Sequence, residues 1–72
     1  MKITAVFKTR SCYDAVLDDS RSMDEQEIMS DPDSLTVVYT EIDSISRAVI
    51  LINLVLMLAR PHGGIQRLVL EG

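Results

Sequence analysis

The feature that most constrains this chain is the run from Ser44 to Arg60, in which Asn53 is the only polar residue between Arg47 and Arg60. It is too long for an ordinary strand of about five or six residues. Asp43 or Ser44 can accept hydrogen bonds from the first free backbone N–H groups of a helix. Pro61 cannot continue a helix, and Gly63 and Gly64 let the chain turn away. Asp43 before the run, and Arg60 and His62 after it, suit the helix dipole. The β-branched Val49, Ile50, Ile52 and Val55 favour strands. Two strands, however, would need a turn near the middle, where only Asn53 is available. The run therefore predicts one helix over about 44–60. A membrane span needs about 20 apolar residues. The block from Ala48 to Ala59 is shorter and has an arginine near each end, so a core helix is expected and no membrane contact.

Wound at about 100° per residue, this helix places Ser46, Asn53 and Arg60 on one narrow polar line. Ala48, Leu51, Ile52, Val55, Leu58 and Ala59 fall opposite and should lie on a sheet. Ile50, Leu54 and Met57 form a second apolar stripe beside the polar line. A surface helix ordinarily has one apolar stripe. The second is expected to be covered by another part of the chain or by another copy, which makes Ile50, Leu54 and Met57 the candidate self-association residues.

Seventy-two residues make one small domain, residues 1–72. A chain of this length buries only about 60% of its unfolded surface. Small domains often add a disulfide, a metal or a partner subunit. With Cys12 as the single cysteine no internal disulfide can form, and with His62 as the single histidine no Cys/His metal spacing arises. Partner subunits are the remaining common device, which raises the expectation of a homodimer. Met1-Lys2 leads straight into a strand-like alternation and not into an apolar leader. Together with the absence of paired cysteines, this places the protein in the cytoplasm.

Ile3, Ala5 and Phe7 alternate with Lys2, Thr4 and Lys8, as in a strand with one face in the core. Residues 11–19 fit two patterns. A strand, with Tyr13, Ala15 and Leu17 inward, could pair with the first as an edge hairpin and is preferred. A helix opened by Ser11 and Asp14 is the alternative. Ser22-Met23-Asp24-Glu25 has the spacing of a capping box and predicts a short acidic helix over about 23–29. Asp31-Pro32-Asp33-Ser34 is a turn. Leu35–Ile42 is the clearest strand, and Ile65–Leu70 is a short last one. The expected fold is α+β: a three- or four-stranded sheet with the long apolar helix across one face and the short acidic helix beside it. The strand–helix–strand unit from Leu35 to Leu70 should form a crossover if those strands are parallel.

No constellation announces catalysis, and the chain is expected not to be an enzyme. Cys12 lacks a base or basic motif to make a thiolate, and is more readily a packed thiol. His62, beside a proline and two glycines, is more readily a helix-end cation than a general base. Asp31-Pro32-Asp33 lacks the glycine and closing glutamate of a calcium loop. No phosphate loop or cofactor motif is present.

The net charge is −4, and eight of the eleven acids lie between Asp14 and Asp33 with only Arg21 opposing them. That segment repels a phosphate backbone, and the basic residues are scattered, so direct nucleic-acid binding is not expected. The same carboxylates could meet a protein partner with a basic surface and imitate a line of phosphates. The candidate partner-binding residues are Asp18, Asp19, Asp24, Glu25, Glu27, Asp31 and Asp33. The first functional expectation is thus a small acidic inhibitor or regulator of a nucleic-acid-handling protein. The second is a structural or assembly subunit acting through the apolar helix face. The opening Met1-Lys2-Ile3-Thr4-Ala5-Val6, followed by strands and a helix entered through Asp43-Ser44, is faintly similar in order to HicB-type antitoxins. That likeness implies an antitoxin-like variant of the second expectation. The Gly-Asp turn expected before that helix is absent.

Overall fold

The computed structural model describes residues 1–23 and 26–72. The elements are β1 (Lys2–Phe7), α1 (Arg10–Arg21), β2 (Glu27–Asp31), β3 (Thr36–Thr40), α2 (Ile45–Ala59) with a terminal 3-10 turn (Arg60–His62), and β4 (Ile65–Glu71). The four strands form one antiparallel sheet in the order β2-β3-β1-β4. β3 and β4 both run antiparallel to β1, so they are parallel to one another and α2 carries the chain across β1 between them. α1 likewise joins β1 to β2 across β3. Two interleaved strand–helix–strand units of this kind make the split βαβ arrangement. The α+β class, the four-stranded sheet and the long apolar helix agree with the reading of the sequence.

β1 sits at the centre of the core because its alternation fits a half-buried strand. Ile3, Ala5 and Phe7 are buried, and their neighbours Val37 and Tyr39 on β3 are buried with them. Lys2, Thr4 and Val6 face the other way. α1 adds Cys12, Tyr13, Val16 and Leu17, and α2 adds Ala48, Leu51, Val55 and Ala59. Both helices therefore pack on one face of the sheet, and the second face is left open.

Two local expectations are corrected. Residues 11–19 form a helix and not a hairpin strand. Thr9 is extended (φ −132°) and caps α1, its Oγ1 accepting from the Cys12 N–H at 3.1 Å. Cys12, Tyr13, Val16, Leu17 and Ser20 then share one buried face. The hairpin would have needed positive φ at Thr9-Arg10, which neither residue favours. The short acidic helix over 23–29 is also replaced: Glu27, Ile28 and Met29 run in β2, paired with Thr40, Tyr39 and Val38. Asp24 and Glu25 lie outside the described residues. The capping-box serine acts at the opposite kind of helix end. Ser22 Oγ donates to the Asp19 carbonyl at 2.6 Å and closes α1. A serine that can accept at a helix start can equally donate at a helix end, so the local pattern left the choice open.

With α1 standing between β1 and β2, the chain departs from the run of strands on which the likeness to HicB-type antitoxins rested.

Candidate interaction surface

α2 begins at Ser44, whose Oγ accepts from the Arg47 N–H at 3.1 Å. One side of the helix docks through Ala48, Leu51, Val55 and Ala59, all buried. Ile52 and Leu58 are half-buried against the core. Opposite, Ser46, Asn53 and Arg60 are exposed along one line. Ile50 and Met57 lie on one side of it, and Ile45, Val49 and Leu56 on the other. These five apolar residues are between 44% and 66% exposed. Leu54, the middle residue of the expected second stripe, is half-buried. The flank formed by Ile45, Val49 and Leu56 was missed in the sequence, although its spacing of four and then seven was visible there. Ile52 lies on the same side and, as expected, packs against the core.

The Ile45–Val49–Leu56 flank reaches the start of β4 through Leu56. Leu56 and Ile65 line a shallow cleft with Arg60, Gly63 and Gly64. Gly63 (φ +110°) and Gly64 (φ +86°) return the chain from the helix end into β4, in a region that residues with a Cβ seldom adopt. On β4, Leu68 is half-buried and Leu70 is 45% exposed, although both pair with buried residues of β1, Leu68 with Ala5 and Leu70 with Ile3. The apolar surface thus continues from the outer side of α2 to the sheet edge.

The acidic residues are placed differently. Asp18 and Asp19 are exposed on α1, and Asp18 shares an open groove with Asp14, Leu17 and Arg21. Glu27 and Asp31 alternate in β2 with Ile28 and Ser30, whose partners Tyr39 and Val37 are buried, so both acids lie on the open sheet face. Asp33 is exposed in the following turn. Asp31 also holds that turn: its carboxylate accepts from the Asp33 N–H at 3.1 Å and the Ser34 hydroxyl at 2.9 Å. The structure therefore distributes these acids between α1 and the opposite side of the sheet.

Cys12 is buried, and its Sγ lies 3.6 Å from the Ala59 carbonyl and 3.5 Å from the Gly64 carbonyl, either of which can accept its one proton. Burial pushes this thiol above its ordinary range, which keeps it neutral and poorly nucleophilic. His62 Nδ1 lies 3.3 Å from Ser11 Oγ on the exposed surface, and the His62 carbonyl accepts from Thr9 Oγ1 at 3.0 Å. These contacts fasten the end of α2 to the start of α1. Among the described residues, no three His, Cys, Asp or Glu side chains lie close enough together to hold a metal ion.

At the other end of α2 the contacts are polar. Arg47 Nη2 donates to Gln26 Oε1 at 3.4 Å, and Gln26 Nε2 donates to the Thr40 carbonyl at 2.7 Å. These bonds tie α2 to the end of β3, next to Glu41, which adopts positive φ (60°).

By length and composition alone, Ile45–His62 could cross a membrane, a property shared by core helices of small proteins. Comparison with protein-family models, with curated proteins and with solved structures finds no match for this chain.

Proposed function

We propose that this protein is a non-enzymatic assembly subunit of the cytoplasm, working through the outer face of α2. The observation that carries this reading is the exposure of Ile45, Val49, Ile50, Leu56 and Met57 on one side of a helix whose other side already fills the core. Burying apolar surface stabilises by about 25 cal/mol per Å², so a partner on this face gains where water loses. Ser46, Asn53 and Arg60, running through the middle of the face, suit a protein partner better than lipid. Light scattering over a dilution series tests the proposal. The chain should associate, and Val49→Glu should return it to monomer with its helical content unchanged. An association that Val49→Glu does not weaken would overturn it.

A second reading is supported by Asp18 and Asp19, both exposed on α1 and neither in an ion pair among the described residues. Here the protein inhibits or regulates a nucleic-acid-handling protein by meeting its basic surface. Charge reversal at Asp18, Asp19, Asp24 and Glu25 should then abolish binding to that partner and leave the fold intact. Undiminished binding removes this reading.

A further inference from the structure

The sheet order leaves β4 at an edge, paired with β1 on one side only. An edge strand offers unpaired N–H and C=O groups to any other strand, and proteins usually blunt such edges with proline, an inward charge or a bulge. β4 contains no proline. Its register slips once, between the Phe7–Ile65 and Val6–Arg67 pairs, which leaves Gln66 as the extra residue. Beyond that point, Arg67 to Glu71 runs in unbroken register with Val6 to Lys2. Its charged residues lie on the open face and its leucines on the helix face.

This five-residue stretch, Arg-Leu-Val-Leu-Glu, reads nearly the same in both directions and carries opposite charges at its ends. We infer that a second copy of the chain pairs with it, β4 against β4, antiparallel about Val69. Each Arg67 then faces Glu71 of the other copy, each Leu68 faces Leu70, and the two Val69 residues face each other. The neighbouring symmetric registers that keep each face of the sheet matched are worse. Centring on Leu68 sets Arg67 against Val69 and Gln66 against Leu70. Centring on Leu70 sets Val69 against Glu71 and Leu68 against Gly72, and centring on Arg67 sets two arginines together.

The charges on this edge are prepared for the pairing. Glu71 already lies 3.7 Å from Lys2, and Arg67 is in no ion pair among the described residues. In the pair, Glu71 lies between Lys2 of its own chain and Arg67 of the other. Antiparallel pairing about this axis keeps both helix layers on the same side of one eight-stranded sheet. The exposed Leu70 of each chain then packs against Leu68 of the other, and the Ile45–Val49–Leu56 flanks of the two α2 helices are turned toward each other across the join. The inference rests on the proposed assembly role of α2 and gives that role its partner and its geometry.

Two sets of variants of the full chain test it. Directly opposed residues of antiparallel strands have Cα atoms about 4.5–5.5 Å apart, which is within the reach of a disulfide. Val69→Cys should therefore form a disulfide-linked dimer on mild oxidation. Thr4→Cys, on the same face but one strand further in, should not. Arg67→Glu and Glu71→Arg should each move the dimer midpoint in light scattering to about tenfold higher concentration, through two repulsive pairs. An equimolar mixture of these two variants should recover the dimer, because both cross-pairs are then complementary. A wild-type dimer whose Val69→Cys variant does not cross-link, or a mixture that fails to recover, overturns the β4 pairing and leaves the α2 surface standing. A chain that is monomeric at every concentration overturns both.

Discussion

The two helices share one layer on one sheet, yet they meet water differently. α1 buries Cys12, Tyr13, Val16, Leu17 and Ser20 and shows solvent Arg10, Ser11, Asp14, Asp18 and Asp19. α2 buries Ala48, Leu51, Val55 and Ala59, a smaller set of side chains, and still shows solvent Ile45, Val49, Ile50, Leu56 and Met57. α1 demonstrates that this fold can be completed with a helix whose outer side is polar. The apolar outer side of α2 is therefore not required by the packing of a single chain, and it is the part of the molecule that calls for a functional explanation.

The contrast can be tested most severely with the same chemical change on both sides of α2. Leu51→Ala, inside, should cost about 2–5 kcal/mol in a urea melt. Leu56→Ala, outside, should cost about 0.5 kcal/mol or less when measured in the dilute limit. Equal costs would show that the outer side belongs to the protomer's own core.

Next in size is the polar contact by which α1 docks. Ser20 Oγ and Tyr39 Oη are buried and 2.6 Å apart. Ser20→Ala leaves the tyrosine hydroxyl without its partner and should cost about 1–3 kcal/mol, of which the added change Tyr39→Phe should recover a part. Burial pushes the Tyr39 hydroxyl above its ordinary value of 10.0, and the hydrogen bond with Ser20 offsets some of that. The folded chain thus keeps a proton that the unfolded chain releases. Stability from this group is complete below pH 10 and is lost as the pH rises from there through the folded value. Tyr39→Phe should remove that part of the alkaline loss in melts followed from pH 9 upward.

The caps separate the helices by about 1 kcal/mol. Thr9→Ala should destabilise more than Ser44→Ala in thermal melts, since Thr9 Oγ1 both accepts from Cys12 N–H and donates to the His62 carbonyl, whereas Ser44 caps α2 alone. The smallest effect belongs to the outer side of α1. Asp18→Lys with Asp19→Lys should change stability by no more than about 0.5 kcal/mol, and a larger loss would mean that the charged side of α1 also supports the fold.

Legibility followed the length of the pattern. α2 could be read almost to the residue, because fifteen largely apolar residues open on the Ser44 cap and close on Pro61-His62-Gly63-Gly64. β1 and β3 could be read from alternation that agrees with β-branched composition. Residues 11–19 could not, since Tyr13, Val16 and Leu17 suit a helix while Tyr13, Ala15 and Leu17 suit a strand. Glu27–Asp31 could not either, since Ile28 is the one apolar residue of that stretch on the core face, and its pairing with Tyr39 is supplied by a strand that comes later in the chain. Of the expected stripe Ile50, Leu54 and Met57, Ile50 and Met57 are exposed and Leu54 is half-buried. The other flank, Ile45, Val49 and Leu56, is spaced by four and then seven residues, and only the tertiary structure brings it to the sheet edge at Leu56.

The sequence by itself determined the elements whose signals are local: a capped apolar helix, two alternating strands, and the glycine turn that sends the chain into the last strand. It also determined that the long helix carries more apolar surface than one sheet can cover. Only the tertiary structure decided that α1 is a helix, that β2 is a strand, and that β4 stands at an edge with Arg67 to Glu71 facing outward. Those choices turn on pairing between residues far apart in the chain, such as Ser20 with Tyr39 or Ile28 with Tyr39. A local pattern carries no information about which distant partner satisfies it, and burial on the sheet decides between patterns that are locally close in energy.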